Sequence, residues 1–254
     1  MTEIEKENLY QYLLLLGDHV MILGHRLSEL CGHGPSLETD IALTNISLDL
    51  YGQTRSYFQY AASLKDDERT EDSIAFLRYS HEYRNSLLVE QPNTDFAYVI
   101  ARQFLFDHYH LLLLQQLADS NDETITAIAK KSIKEVSYHT RFSSEWIKRL
   151  GDGTEVSKKK IQDAINYLVP YAGELTTPIE IERVAASFGY GYDVSKLQDH
   201  YWENIKRVIA EATLDFPESD WAHSGGKSGI HSEHFGYILA DLQYMQRAYP
   251  DMTW

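Results

Sequence analysis

Apolar residues in the opening segment step by four and three in alternation, at Leu9, Leu13, Leu16, Val20, Leu23, Leu27 and Leu30. That is the stripe of a core-facing helix. The spacing predicts a helix over 5–30, ended by Gly32, Gly34 and Pro35. A second helix is predicted over 38–64, capped by Ser36 or Asp40, with Ile41, Leu48, Tyr51, Arg55 and Phe58 on one face. A charged stretch follows at 65–72, then a short helical piece at 74–79 and an irregular run ending at Gln91-Pro92-Asn93. Thr94 reads as the cap of a third long helix over 95–118. After a turn at Ser120-Asn121-Asp122, a fourth runs over 123–150 and stops at Gly151-Asp152-Gly153.

The four long helices fall into two closely linked pairs, and residues 65–93 form one long crossover between them. This is the connectivity of a ferritin-like bundle. The remainder is also helical in pattern. Residues 157–169 form a shorter helix, and Thr177-Pro178-Ile179-Glu180 reads as a cap, a first-turn proline and a capping-box glutamate. Asp193 begins a helix to about Leu214. A glycine-bearing loop at 221–229 precedes a last helix over 230–248. The expected fold is all-α: a four-helix bundle with additional C-terminal helices. One domain is expected over 1–254, with the bundle at about 5–150 and a helical extension at about 155–254.

Charge narrows the partners. The net charge is −15, from 38 acidic and 23 basic side chains. Nucleic acid and anionic membrane surfaces both need clustered Lys and Arg, so neither is an expected general partner. Cys31 is the one cysteine, so no internal disulfide can form, and a cytoplasmic location is expected. The N-terminus carries Glu3, Glu5 and Glu7, unlike the basic start of a signal peptide. The Leu runs at 13–16 and 111–114 are far short of the ~20 residues that span a bilayer. The 18 Tyr against 9 Phe imply a semi-polar interior or large interfaces.

A ferritin-like frame raises the question of a di-iron centre. Such a site takes a Glu from each of two helices and a Glu-x-x-His from each of the other two. Residues three apart share a helix face, so both side chains reach one metal pair. Here the first helix offers Asp18, the second Asp49 with Gly52 three residues on, and the third Asp107. The fourth offers His139, but Val136 stands three residues before it. Glu135 is four residues before His139. No Glu-x-x-His falls on either expected helix. The expected reading is a degenerate site at Asp18, Asp49, Gly52, Asp107, Val136 and His139, filled by charge pairing that includes Glu135 and a cation such as Arg55. Buried carboxylates are more often paired than metallated.

Other motifs are weaker. His231-Ser232-Glu233-His234 resembles a metal cluster, but near a helix start its residues bond locally. Gly225-Gly226-Lys227-Ser228 resembles the end of a phosphate loop, but Trp221 stands where the first glycine belongs and no strand precedes it. Cys31 has no triad spacing and reads as a small buried residue. His108 and His110 flank Asp107 but point to different helix faces.

Several segments resemble the C subunits of the bacterial phenylacetyl-CoA 1,2-epoxidases. They are Gly17-Asp18-His19 through Leu23-Gly24-His25-Arg26-Leu27-Ser28-Glu29, Cys31-Gly32-His33-Gly34-Pro35, and Asn45-Ile46-Ser47-Leu48-Asp49-Leu50-Tyr51-Gly52-Gln53. Lys134-Glu135-Val136-Ser137-Tyr138-His139 and Arg149-Leu150-Gly151-Asp152-Gly153-Thr154 add to them. The most specific stretch is the tail, from Gly226-Lys227-Ser228-Gly229-Ile230-His231-Ser232-Glu233-His234 to Gln246-Arg247-Ala248-Tyr249-Pro250 and Trp254. The resemblance covers essentially the whole chain. It implies a non-catalytic, ferritin-like structural subunit with no cofactor of its own. It also implies a catalytic A subunit that carries the di-iron centre and binds most of the phenylacetyl-CoA. A small accessory subunit, and a reductase using NADPH with flavin and iron–sulfur groups, complete the implied complex. The implied reaction is ring 1,2-epoxidation in aerobic phenylacetate breakdown.

Two other readings remain open at this point: a metal-binding ferritin-like oxidase active in its own right, and a generic helical interaction protein. Tyr237, Tyr244, Met245, Arg247 and Tyr249 on the last helix are the candidate partner-binding residues. Aromatics and Arg concentrate at interface cores.

Overall fold

The computed structural model describes residues 1–218, 221–250 and 252. Among these residues all regular structure is helical, with no strand. Helices α1 (Glu3–Ser28) and α2 (Leu37–Ser63) form one hairpin. The crossover carries α3 (Glu71–Phe76) and the short α4 (Leu87–Glu90). Helices α5 (Phe96–Leu117) and α6 (Glu123–Gly151) form the second hairpin. The hairpins meet through α2 and α6, and α1 faces α5 through side chains such as His19 and Phe106. Then come α7 (Glu155–Ala172), α8 (Glu180–Phe188), α9 (Gln198–Glu211) and α10 (Glu233–Ala248). Helices α7 and α9 pack on the second hairpin, α8 on α1, and α10 on α3 and α4. One continuous apolar core runs from Leu9 on α1 to Leu239 on α10.

Local chemistry sets the helix starts. Thr2 and Glu5 form a capping box at α1. Asp95 accepts from the amides of Ala97 and Tyr98 at 2.9 and 3.2 Å, so Asp95 and not Thr94 caps α5. Asp122 caps α6 and also accepts from the Tyr60 hydroxyl at 2.5 Å, which ties the two hairpins together. Ser36 caps α2, whereas Asp40 accepts from the amides of Gly32 and Gly34 to close the preceding turn. At α8 the box forms two residues later than expected: Glu182 reaches the Ile179 amide at 2.9 Å, and the Thr177 hydroxyl donates to Gly173 O. Helix α7 continues past Pro170, whose missing N–H costs one bond near the helix end. Helix α10 begins at Glu233, because residues 225–232 are held in a loop.

The expected face of α2 is corrected. Of that face Ile41, Leu48 and Arg55 are exposed and Tyr51 is half-buried, while Phe58 is buried as expected, together with Leu43, Ile46, Leu50, Gln53, Tyr57 and Ala61. The true inner stripe contains a glutamine, which breaks the apolar period and hides its phase. Cys31 is exposed, in the turn of the first hairpin, and not buried as its size suggested. Helix α1 is buried around its whole circumference over Tyr12 to Gly24. A Cβ on Gly17 would lie 2.3 Å from the Phe58 ring, so glycine there lets α1 approach α2.

The tail motif closes this architecture. Gly226 sits so close to the crossover that a Cβ would fall 2.5 Å from Asn85 O and 2.7 Å from the Leu87 amide. Lys227 is fully buried, with Nζ 3.0 and 2.7 Å from the two carboxylate oxygens of Glu182. Glu174 accepts from the amides of Leu87, Gly225 and Lys227. Glu90 accepts from the Asn85 side chain at 2.9 Å and the Ser232 amide at 2.8 Å, and its Oε1 lies 2.5 Å from His231 Nδ1. The apparent phosphate loop is therefore a buried lock, with its lysine already spent on a carboxylate. His231 and Ser232 of the His231-Ser232-Glu233-His234 stretch serve the same lock.

Removing one partner of a buried pair leaves the other charge uncompensated, which costs about 3–5 kcal/mol. Lys227→Met is expected to lower unfolding free energy by that order in a denaturant titration. Adding Glu182→Leu is expected to recover part of the loss; a single substitution within ~1 kcal/mol of wild type would contradict the lock.

Candidate functional site

The polar residues singled out on the four long helices do not converge on one point. Asp18 is fully buried but turns toward the crossover. There it pairs with the Arg78 guanidinium, and its Oδ2 also accepts from the Arg84 amide at 2.8 Å. Arg78 is buried as well, lies 4.0 Å over the Tyr83 ring, and donates to Ile74 O and Glu82 O. Asp18 is thus the anchor of the crossover. Arg55, the expected central cation, is 71 % exposed and pairs across the surface with Glu71 at 3.6 Å. It belongs to the outer face of α2 and cannot neutralise the centre. Gly52 also faces outward, with open space where a side chain would stand. Val136 is buried and apolar.

Two polar groups remain inside. His139 on α6 is fully buried, and its Nε2 lies 3.0 Å from Asp49 Oδ2 on α2. Asp49 is 36 % exposed, so this pair runs from the interior to the surface. Asp107 on α5 is fully buried. Its Oδ1 accepts from Gln103 Nε2 at 2.6 Å and its Oδ2 from the Ser143 hydroxyl at 2.8 Å. Burial pushes the Asp107 carboxyl up to about 7, against the opposing pull of His139 and the two donors. Burial, and after it the Asp49 charge, raise Glu135 at the edge of the same group. Tyr138 is exposed beside it and carries Arg141 over its ring at 5.9 Å.

This donor set does not fit a pair of irons. Asp18 is committed to Arg78, Gly52 and Val136 supply no ligand, and Asp49 and Asp107 are bound to separate partners. Among the described residues no group of three or more His, Cys, Asp or Glu side chains is placed to hold a metal ion. No described helix is long and apolar enough to cross a membrane.

Several residues of the interior escaped the sequence reading. Gln103 and Ser143 sit four residues from Asp107 and His139 on the same helix faces, and that spacing was the available signal. Arg78 gave none, because it lies in an aperiodic crossover. His108 and His110 do diverge as expected: His108 Nε2 meets the Ser144 hydroxyl at 3.0 Å, while His110 lies 5.1 Å from the Phe106 ring. On α10, Phe235, Ile238, Leu239 and Gln243 are buried in the chain's own core. Tyr237 is 74 % exposed, and Tyr244, Met245 and Tyr249 are exposed as well. Arg247 is exposed, but its guanidinium is held by Gln243, Leu77 O and Arg78 O, so it braces the helix.

The arrangement is a helical bundle whose centre keeps polar residues without converging them on a metal. The family described as Phenylacetic acid catabolic protein matches residues 1–254, and the chain belongs to that family. Its similarity extends to a particular relative, the C subunit of the 1,2-phenylacetyl-CoA epoxidase of Escherichia coli (strain K12). The two are 45 % identical over 243 residues, covering 96 % of this chain and 98 % of that one.

The raised Asp107 group predicts a pH signature. Its contribution to stability is fully present below the ordinary carboxylate value of 3.8, declines as pH rises, and is lost above about 7. Asp107→Asn is expected to remove that slope, so its stability relative to wild type improves between pH 4 and pH 8. Parallel slopes for the two proteins in urea titrations across that range would refute the assignment.

Proposed function

We infer that this chain is the non-catalytic structural subunit of a phenylacetyl-CoA 1,2-epoxidase. It acts in the cytoplasm in aerobic phenylacetate breakdown. In this reading it holds a ferritin-like catalytic A subunit, which carries the di-iron centre and binds the CoA thioester. The reductase and a small accessory subunit join that partner. The chain itself folds as one unit and takes no cofactor. The single observation that carries the reading is the separation of Asp18, Asp49 and Asp107 onto different partners in a chain otherwise similar to an epoxidase C subunit. Frame and tail are kept, while the means to hold two irons is missing.

The outer face of α10 supports a role in that assembly. Its inner face closes the chain's own core, so the exposed Tyr237 and Tyr244 are spare to it. Tyrosines of this kind serve as interface anchors. Deleting the helix would remove Ile238, Leu239 and Gln243 from the core, so point substitutions separate binding from folding.

Two measurements test the reading. Protein expressed alone in iron-rich medium is expected to hold well under one iron per chain; stoichiometric iron would instead mark an oxidase in its own right. Tyr237→Ser with Tyr244→Ser is expected to weaken capture of the A subunit at least tenfold while helicity and Tm stay unchanged. Unaltered capture would remove α10 from the interface, and absence of any complex with wild-type protein would defeat the structural-subunit reading itself.

A further inference from the structure

Where the tail meets the crossover, one histidine stands between two acceptors. The side chains of His231 and Glu90 are only 5 % and 0 % exposed. His231 Nδ1 lies 2.5 Å from Glu90 Oε1, and its Nε2 lies 3.2 Å from the Tyr83 carbonyl oxygen. Stacking on Phe235 fixes the ring in that position, with centroids 4.0 Å apart and planes 23° from parallel. Both ring nitrogens therefore face an oxygen.

A neutral imidazole carries a single N–H. Either neutral tautomer turns a lone pair toward an oxygen, Nδ1 toward Glu90 or Nε2 toward Tyr83 O. Only the imidazolium donates to both. Placing the extra proton on Glu90 instead works against the other bonds of that carboxylate. It already accepts from Asn85 Nδ2 at 2.9 Å and from the Ser232 amide at 2.8 Å, and such donors favour its charged form. Glu90 is the acid bonded to the ring, and the surrounding charges have bonds of their own. Arg26 on α1 donates to the Glu90 carbonyl and pairs with Glu29. Arg84 donates to His81 O and shares Tyr83 O with His231. Arg78 is paired with Asp18, Lys227 with Glu182, and Glu174 accepts from backbone amides. Glu233 is exposed and His234 half-buried at the start of α10.

We propose that His231 is held as an imidazolium between Glu90 and Tyr83 O, and that this one bound proton latches the tail and the start of α10 to the crossover. Removing the proton leaves the Nδ1 lone pair against a carboxylate oxygen in a buried setting, where repulsion is poorly screened. Ser232 is the N-cap residue of α10 and gives its amide to the same carboxylate, so the helix start loosens together with the ring. The direction of the pH effect follows from proton counts. An unfolded histidine loses its proton at about 6.5. Below that value both states are protonated, and the latch contributes fully. Above it the native chain keeps a proton that the unfolded chain has released, so stability falls as pH rises until the latch opens.

Nuclear magnetic resonance of the full chain with isotope-labelled histidine reads the ring directly. Both nitrogens of His231 are expected to carry protons at pH 7, with the signals assigned through contacts to the Phe235 ring. A bare ring nitrogen at that pH would overturn the proposal. Urea titrations of wild type and His231→Gln between pH 6 and pH 9 give a second reading. The wild-type advantage in the folding equilibrium constant is expected to shrink by up to about tenfold per pH unit. Asp107 acts equally in both chains and cancels from the comparison. A difference that does not change with pH would refute the latch. Should the variant fail to fold, hydrogen exchange at the Ser232 amide of the wild-type chain decides the question. Its protection, corrected for the intrinsic exchange rate, is expected to fall over the same pH range, and constant protection refutes the proposal.

Discussion

Four buried carboxylates hold the long crossover and the tail in place, and the packing around them depends on that fastening. A segment as long as 65–93 carries many backbone groups that α3 and α4 do not satisfy. Burying such groups without partners is costly. Asp18 takes the Arg84 amide and the Arg78 guanidinium, and Glu174 takes the Leu87 amide. Glu90 takes the Ser232 amide, and Glu182 neutralises Lys227. The crossover and the tail are therefore fastened to the bundle by the same few acids. A strongly acidic chain has used part of its charge as internal acceptors, where each carboxylate can serve two or three donors.

That use of Asp18 shapes the interior. Successive residues of a helix point about 100° apart, so a helix that turns Asp18 to the crossover turns His19 toward α5. The bundle centre then receives no acid from α1. Asp49 meets His139 at the edge, and Asp107 rests on Gln103 and Ser143 in the middle. Each interior acid has a local solution, and no geometry draws them together. A metal pair imposes the opposite demand, that all acids share one point.

The C-terminal helix shows a division of labour within one element. Ile238, Leu239 and Gln243 serve the core, and Gln243 Nε2 donates to Arg78 O and to the Tyr83 hydroxyl. Arg247 braces the same corner. Tyr237 and Tyr244 lie on the other side of α10, exposed among the described residues.

The sequence by itself determined the helices, their pairing and the lack of a Glu-x-x-His pattern. Period and caps are local properties, and local backbone chemistry decides them. It placed α1 correctly because the helix is buried on nearly every side, so its apolar period survives Asp18 and His19 and leaves no phase to mistake. It misplaced the face of α2, because the inner stripe contains Gln53 and the outer one carries Ile41 and Leu48. It put Arg55 in the centre and Arg78 nowhere, since nothing local tells which distant arginine meets Asp18. It discounted the metal-like and phosphate-like motifs of the tail but named no partners for them; the tail's lysine and histidine are engaged with Glu182 and Glu90. Those partnerships join residues many positions apart. Only the tertiary structure decides them, because a buried charge takes whichever partner the packing of other elements brings within hydrogen-bond reach.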